Sequence, residues 1–239
     1  MRKSLSLFVI FFLILGIANA QDNASEILKQ YGFRTDNILS LLDASTANFS
    51  FTVEGTTRTF SEANHTDQTS KRVYSYDSKR AEGAKFKLLS INGKEPTRHD
   101  IKKFNKEKNT SSGDNKIQLK ESDFFIEKNN EKMAVIGFNM PADEMPSKLA
   151  FMSHCTGYIY IDKVSGRVTK MEIKSKEAFS LKVFHITEML IQLNLQYNEE
   201  QKFYYLTSEF TRTKALILGS ITTIEVDEQY KDFNFNEDN

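Results

Sequence analysis

The chain of 239 residues contains no tryptophan and only one cysteine. With Cys155 alone, no internal disulfide can form, and the fold must be held by burying apolar side chains. An excess of either charge is also missing. The 32 basic residues equal the 32 acidic ones, so there is neither the basic surplus that recruits nucleic acid nor an acidic tail. The sequence has no internal repeat, phosphate-binding glycine loop, CxxC or HExxH. Its four histidines, His65, His99, His154 and His185, stand at unrelated spacings. Beyond the first twenty residues there is no apolar run of membrane-spanning length.

What is present begins with an address. Residues 1–3 are basic, residues 5–17 almost wholly apolar, and Ala18-Asn19-Ala20 is a small-residue cleavage site. This predicts a secretory signal peptide over 1–20, too short in its apolar part to span a bilayer. The expected mature chain, 21–239, loses Arg2 and Lys3, which leaves 30 basic against 32 acidic residues, a net of −2. Gln21 stands where a lipid-anchored protein would need cysteine. The expectation is a soluble, unanchored periplasmic protein, not membrane-spanning after cleavage, with no nucleic-acid partner.

Residues 24–31 read as a short helix ended by Gly32, and Thr35-Asp36-Asn37 as the cap of a second helix carrying Ile38, Leu41 and Leu42. Strand patterns then dominate. Phe49, Phe51 and Val53 alternate with polar neighbours, residues 61–70 are polar and loop-like, and 72–76 and 85–91 alternate again. Asn92-Gly93 turns the chain. Thr97 and Asp100 form a capping-box start for a helix whose Ile101 and Phe104 are expected to lie against the sheet, with His99 in its first turn. Residues 105–120 read as a polar connection, and the lysines there carry no interleaved aromatics of the kind that stack on bases. Strands are expected at 123–127 and 133–140, with a helical turn near 147–153.

The clearest signals lie in the last third. Residues 157–161 and 167–174 form a strand–turn–strand unit around Gly166. Met189, Ile191, Leu193, Leu195 and Tyr197 share one face of a long strand whose other face is Gln192, Asn194 and Gln196. Residues 203–212 and 219–230 supply two more strands. Cys155 reads as a small buried side chain; adjacent strand residues point to opposite faces, so His154 and Cys155 do not make a metal pair. Ser153, His154 and Asp162 could be drawn together as a triad, but a chain this rich in Ser and Asp offers many such sets. His99 and His185 have no signalled nucleophile or orienting partner.

The fold class is therefore α+β, a strongly curved antiparallel sheet, or half-barrel, with helices packed in its concave side. The segments INGKEPTRHDIKKF, FNMPADEM, GYIYIDKVSGRVTKMEIKS and VDEQYKDFNF, in that order, resemble a group of exported bacterial proteins similar to the outer-membrane lipoprotein-sorting carriers with the LolA/LolB-like fold. The resemblance covers roughly residues 84–235 and implies a single LolA-like domain over 21–239. It further implies an open curved sheet whose apolar interior holds acyl chains. The absence of tryptophan departs from those carriers.

The expected function is a carrier without chemistry, taking a hydrophobic ligand such as a lipid acyl chain or a lipidated protein, and needing no cofactor or metal. Its ligand-lining residues would be Met171, Ile173, Met189, Ile191, Leu193 and Leu195, with Ile101 and Phe104 as lid contacts. Burial at about 0.8 kcal/mol per CH₂ gives on the order of 10 kcal/mol for a chain of some 14–16 carbons before ordering costs. The alternative is a non-enzymatic envelope protein that binds a protein partner through a sheet edge or its lid helices.

Overall fold

The computed structural model describes residues 23–33, 48–63, 66–81, 83–109, 119–142, 145, 149–181, 184–217 and 219–235. The expected signal peptide and the second helix at 35–42 lie outside the described residues. Helix α1, Ala24–Gln30, starts where the Asn23 side chain accepts from the Ser25 amide at 3.1 Å. It ends at Gly32, whose φ of +69° suits a residue without Cβ. Ala24, Ile27 and Leu28 are buried, as is Phe33 just beyond.

Helix α2, Arg98–Asn109, opens with the expected capping box. The Thr97 amide donates to Asp100 Oδ2 at 2.9 Å, and the Asp100 amide donates back to Thr97 Oγ1 at 3.3 Å. The helix enters the stretch expected to be a polar connection, because Lys and Glu are good helix formers and its last turn has a surface to rest on. Lys108 Nζ lies 4.3 Å from the centre of the Tyr74 ring.

Eleven strands follow the chain: β1 (Ser50–Ser61), β2 (Thr66–Tyr76), β3 (Phe86–Ile91), β4 (Phe124–Asn129), β5 (Met133–Asn139), β6 (Cys155–Asp162), β7 (Arg167–Ser175), β8 (Phe179–Leu181), β9 (Phe184–Asn198), β10 (Phe203–Ile217) and β11 (Ser220–Asn234). They form one sheet in the order β3-β2-β1-β11-β10-β9-β7-β6-β5-β4, with β8 beside β9, and every ladder is antiparallel. The order is a meander in which β11 returns to pair with β1. Among the described residues β3 and β4 are the two edges of the sheet, and α2 follows β3 in the chain.

Residues 66–70, expected to be loop, are strand: Thr66 pairs with Ser61 and Ser70 with Thr57. Their polarity misled because β3 pairs with β2 only from Arg72 onward, so this end of β2 is itself an edge. The expected turn at 147–153 appears as a 3-10 turn over Ala150–His154.

The sheet curves strongly. Lys29 of α1 donates to Glu121, just before β4, at 2.7 Å, while Phe33 meets the Tyr204 ring of β10 at 5.5 Å between centroids. On a flat sheet β4 and β10 would stand about 24 Å apart at ~4.8 Å per strand. A segment of five residues can touch both only if the sheet bends around it. Register shifts in the β4–β5, β6–β7, β9–β10, β2–β3 and β1–β11 ladders supply local bends. Both helices lie on the concave side, which holds the core.

Candidate functional site: the inner face of the sheet

Pairing fixes which side chains share the concave face, because strand residues alternate between faces. One cross-strand row runs Ile126, Ile136, Ile159, Met171, Leu193, Glu209, Glu228, Gly55, Arg72, Ile91. From β4 to β9 it is wholly apolar. At β10 it changes character. The next row toward the far end of the strands repeats the change: Phe124, Phe138, Gly157, Ile173, Ile191, then Thr211, Val226, Thr57, Ser70.

In the charged part of the first row Glu228 is buried, while Glu209 and Arg72 are half-buried. Glu228 is 6% exposed and Tyr74 1%. Arg72 Nη2 donates to Glu228 Oε1 at 2.9 Å, and the Tyr74 hydroxyl donates to Glu228 Oε2 at 2.8 Å. From α2, Lys108 Nζ donates to the Tyr74 hydroxyl at 3.0 Å, and Glu107 accepts from Arg72 Nη1 at 3.3 Å. Gly55 leaves room for this meeting: a Cβ there would sit 3.4 Å from both Arg72 Cγ and Glu228 Oε1. Burial alone would raise the Glu228 pKa, but the Lys108 and Arg72 cations outweigh it and hold the carboxyl below its ordinary value. Burial lowers the Lys108 pKa.

Glu209 sits beside this cluster with poorer contacts. Among the described residues it accepts from the Thr211 hydroxyl at 3.4 Å and the Tyr230 hydroxyl at 3.5 Å, both at the long limit of a hydrogen bond. Burial, then the neighbouring Glu228 charge, pushes its pKa up against the pull of Lys108. The far end of the face is neither dry nor charged. Ile191, Thr211, Val226, Thr57, Thr213, Ile224 and Thr59 are all half-buried.

The six residues expected to line a ligand do share this face, where Met171 pairs with Leu193 and Ile173 with Ile191. Met171, Ile173, Met189, Leu193 and Leu195 are already buried within the protein; Ile191 is the one left half-open. Phe104 is buried and packs on Tyr74 at 5.3 Å between ring centres. Ile101 does not lie against the sheet and is 40% exposed. The reason is geometric: α2 rests on β3, the sheet edge, so a side chain one turn before Phe104 has no strand beneath it.

Lys108, read from the sequence as facing water, lies over the Tyr74 ring; Arg72, Glu209 and Glu228 went unnoticed in the sequence. Their signal was parity: Glu228 falls two residues from Tyr230 and Val226, and Arg72 two from Tyr74, on the faces that the aromatics mark as inner.

Elsewhere, Ser153, His154 and Asp162 do not assemble. Ser153 Oγ donates to Ala150 O, His154 Nδ1 faces Glu177 at 3.5 Å, and Asp162 caps the β6–β7 turn by accepting from the Val164 amide at 3.0 Å. His99 and His185 are exposed. Cys155 is buried on the inner face, and burial raises its thiol to about 11. Among the described residues no group of three or more His, Cys, Asp or Glu is placed to hold a metal, and no helix is long and apolar enough to cross a membrane.

No family model and no curated protein matches the sequence. Two solved structures align along most of its length. A LolA superfamily protein from Nitrosomonas europaea is 13% identical, over 91% of this chain and 95% of that one, with a TM-score of 0.32. A domain described as an outer membrane lipoprotein-sorting protein, from Vibrio parahaemolyticus, is 11% identical, over 91% and 93%, with a TM-score of 0.35. At these scores the superpositions carry no part of the functional argument, which rests on the geometry of the inner face.

Proposed function

We propose that the protein is a periplasmic carrier that binds the apolar part of a lipid or lipidated protein on the concave face of its sheet, without catalysing a reaction. The observation that supports this is the half-buried strip formed by Ile191, Val226 and Ile224 with Thr57, Thr211 and Thr213. Isoleucine and valine left part-exposed on a concave surface, between a dry wall and a polar one, suit a guest with an apolar chain. The amino-terminal segment supports export.

Purification without detergent followed by native mass spectrometry tests the reading. A co-purifying mass that organic solvent removes, or displacement of a fluorescent fatty acid by natural lipid extract, is the expected result. A bare protein with no affinity for any acyl probe would overturn it.

Among the described residues no strand pairs beyond β3 or β4, and these edges favour a second reading, in which a protein partner adds a strand at either one. A stoichiometric protein captured from periplasmic extract, with no lipid bound, would favour that reading over the first.

A further inference from the structure

We propose that the inner face recognises the polar end of its guest as well as the chain, that this end is a hydrogen-bond donor such as an alkylammonium or a hydroxyl, and that Glu209 receives it. The proposal rests on the carrier reading above and adds the class of head group.

The position of Glu209 makes the first argument. It stands where the transverse row changes from apolar to charged, between Leu193 on β9 and Glu228 on β11. Two residues along the same strand face, Thr211 lies beside Ile191 and Val226, the start of the half-buried strip. About 13 Å of strand separates Glu209 from Thr213, at ~3.3 Å per residue over four residues. An amphiphile lying along β10 and β11 would therefore place its chain on that strip and its head at Glu209.

Hydrogen bonding makes the second. The other charged groups of the cluster have at least one contact of 3.0 Å or shorter, Arg72 and Glu228 to each other and Lys108 to Tyr74. Glu209 has only the two long contacts from Thr211 and Tyr230 among the described residues. Its surroundings supply Glu228 and Tyr230 from β11, Lys108 from α2, Leu193 from β9 and Thr211 from its own strand. What this environment lacks is a close donor. An anionic head would face two carboxylates there, with Arg72 committed to Glu228 and Glu107. A donor, and an ammonium above all, would meet the demand and separate the two like charges.

Four displacers with one tail and different heads test it on the detergent-free protein loaded with a fluorescent alkyl probe: hexadecylammonium, hexadecanol, methyl hexadecanoate and hexadecanoate. The ammonium is expected to displace the probe at about ten-fold lower concentration than the methyl ester, as one charge-assisted hydrogen bond gives, with the alcohol between them. Glu209→Gln should bring ammonium and ester close together, chiefly by weakening displacement by the ammonium. Equal displacement by all four heads, preference for hexadecanoate, or a ranking that survives both Glu209→Gln and Glu209→Leu would overturn the head assignment and leave the carrier reading standing. Failure of every displacer and of the probe itself would overturn both. The ranking on the unsubstituted protein decides even if a variant does not fold.

Discussion

From β4 to β9 the first transverse row reads Ile126, Ile136, Ile159, Met171, Leu193; from β10 to β3 it continues as Glu209, Glu228, Gly55, Arg72, Ile91. The two halves belong to one sheet and one face, yet they are stabilised by different physics. The first half excludes water and packs, so its stability scales with volume. The second takes ions out of water and must repay that cost pair by pair. A site for a guest arises where neither solution is complete, along β10 and β11.

The comparison is broken most sharply at Glu228. Glu228→Ala leaves half-buried Arg72 with only the longer contact to Glu107 and the buried Tyr74 hydroxyl without its acceptor, and is expected to cost about 3 kcal/mol in urea unfolding. Removing both ions in Arg72→Leu/Glu228→Leu should recover much of that loss, since an apolar pair does not need to be desolvated. If the double variant is no more stable than Glu228→Ala, the ion pair is not what the second half depends on.

In the first half the corresponding experiment is truncation. Ile159 is fully buried, and Ile159→Ala should cost about 2–5 kcal/mol through lost burial and the cavity left behind. Ile191→Ala, on the half-buried strip, should cost about 1 kcal/mol or less, because its surface is only partly removed from water to begin with. Equal losses at the two positions would mean that the strip is core, and the docking surface would disappear with it.

Glycines sharpen the same contrast between the faces of the first half. A Cβ on Gly157 would lie 2.0 Å from Phe138 Cζ, on the inner face where Phe138 is fully buried. A Cβ on Gly137 would lie 2.2 Å from Phe125 Cζ, on the outer face where that ring is only half-buried. Gly157→Ala is expected to cost about 1–3 kcal/mol by forcing a packed ring to move, and Gly137→Ala less, because Phe125 can swing toward solvent.

How much of this was legible in the sequence follows the same division. The strands of the first half announce themselves, since Met171, Ile173, Leu193 and Leu195 alternate with polar residues and pairing then puts them on one face. The turns at Asn92-Gly93 and Gly166 were equally local, and both glycines adopt positive φ. The second half was not legible in the same way. Nothing within residues 66–70 says strand; only the partner strand β1, earlier in the chain, makes it one. The ion cluster joins Arg72 to Glu228 and Lys108 to Tyr74 across up to 156 positions, and a lysine-rich helix end reads as solvated until the ring beneath it is known. Ile101 failed for a related reason, because an amphipathic stripe does not say where the sheet stops.

The smallest expected effect lies in pH, where two carboxyls should act in opposite directions. On the outer face Glu172 has a side chain 4% exposed. Burial would raise its pKa, but Lys170 at 2.8 Å, Lys174 at 2.7 Å, the Tyr160 hydroxyl at 2.6 Å and the Gln192 amide at 2.7 Å hold it at about 2. A folded-state value below the ordinary 4.5 means stability that is present above 4.5 and lost as pH falls toward 2. Glu209 has its folded-state value raised, so it favours the folded state below 4.5 and loses that contribution as pH climbs through its folded value. Unfolding free energies measured from pH 2 to pH 8 should therefore show Glu172→Gln flattening the acid limb, by at most about 1 kcal/mol because solvent screens the partner lysines, which are 32% and 48% exposed. Glu209→Gln should instead improve stability at neutral pH relative to pH 4. Parallel profiles for the two variants would mean that the carboxyls share one environment, and that the division of the sheet does not extend to its charges.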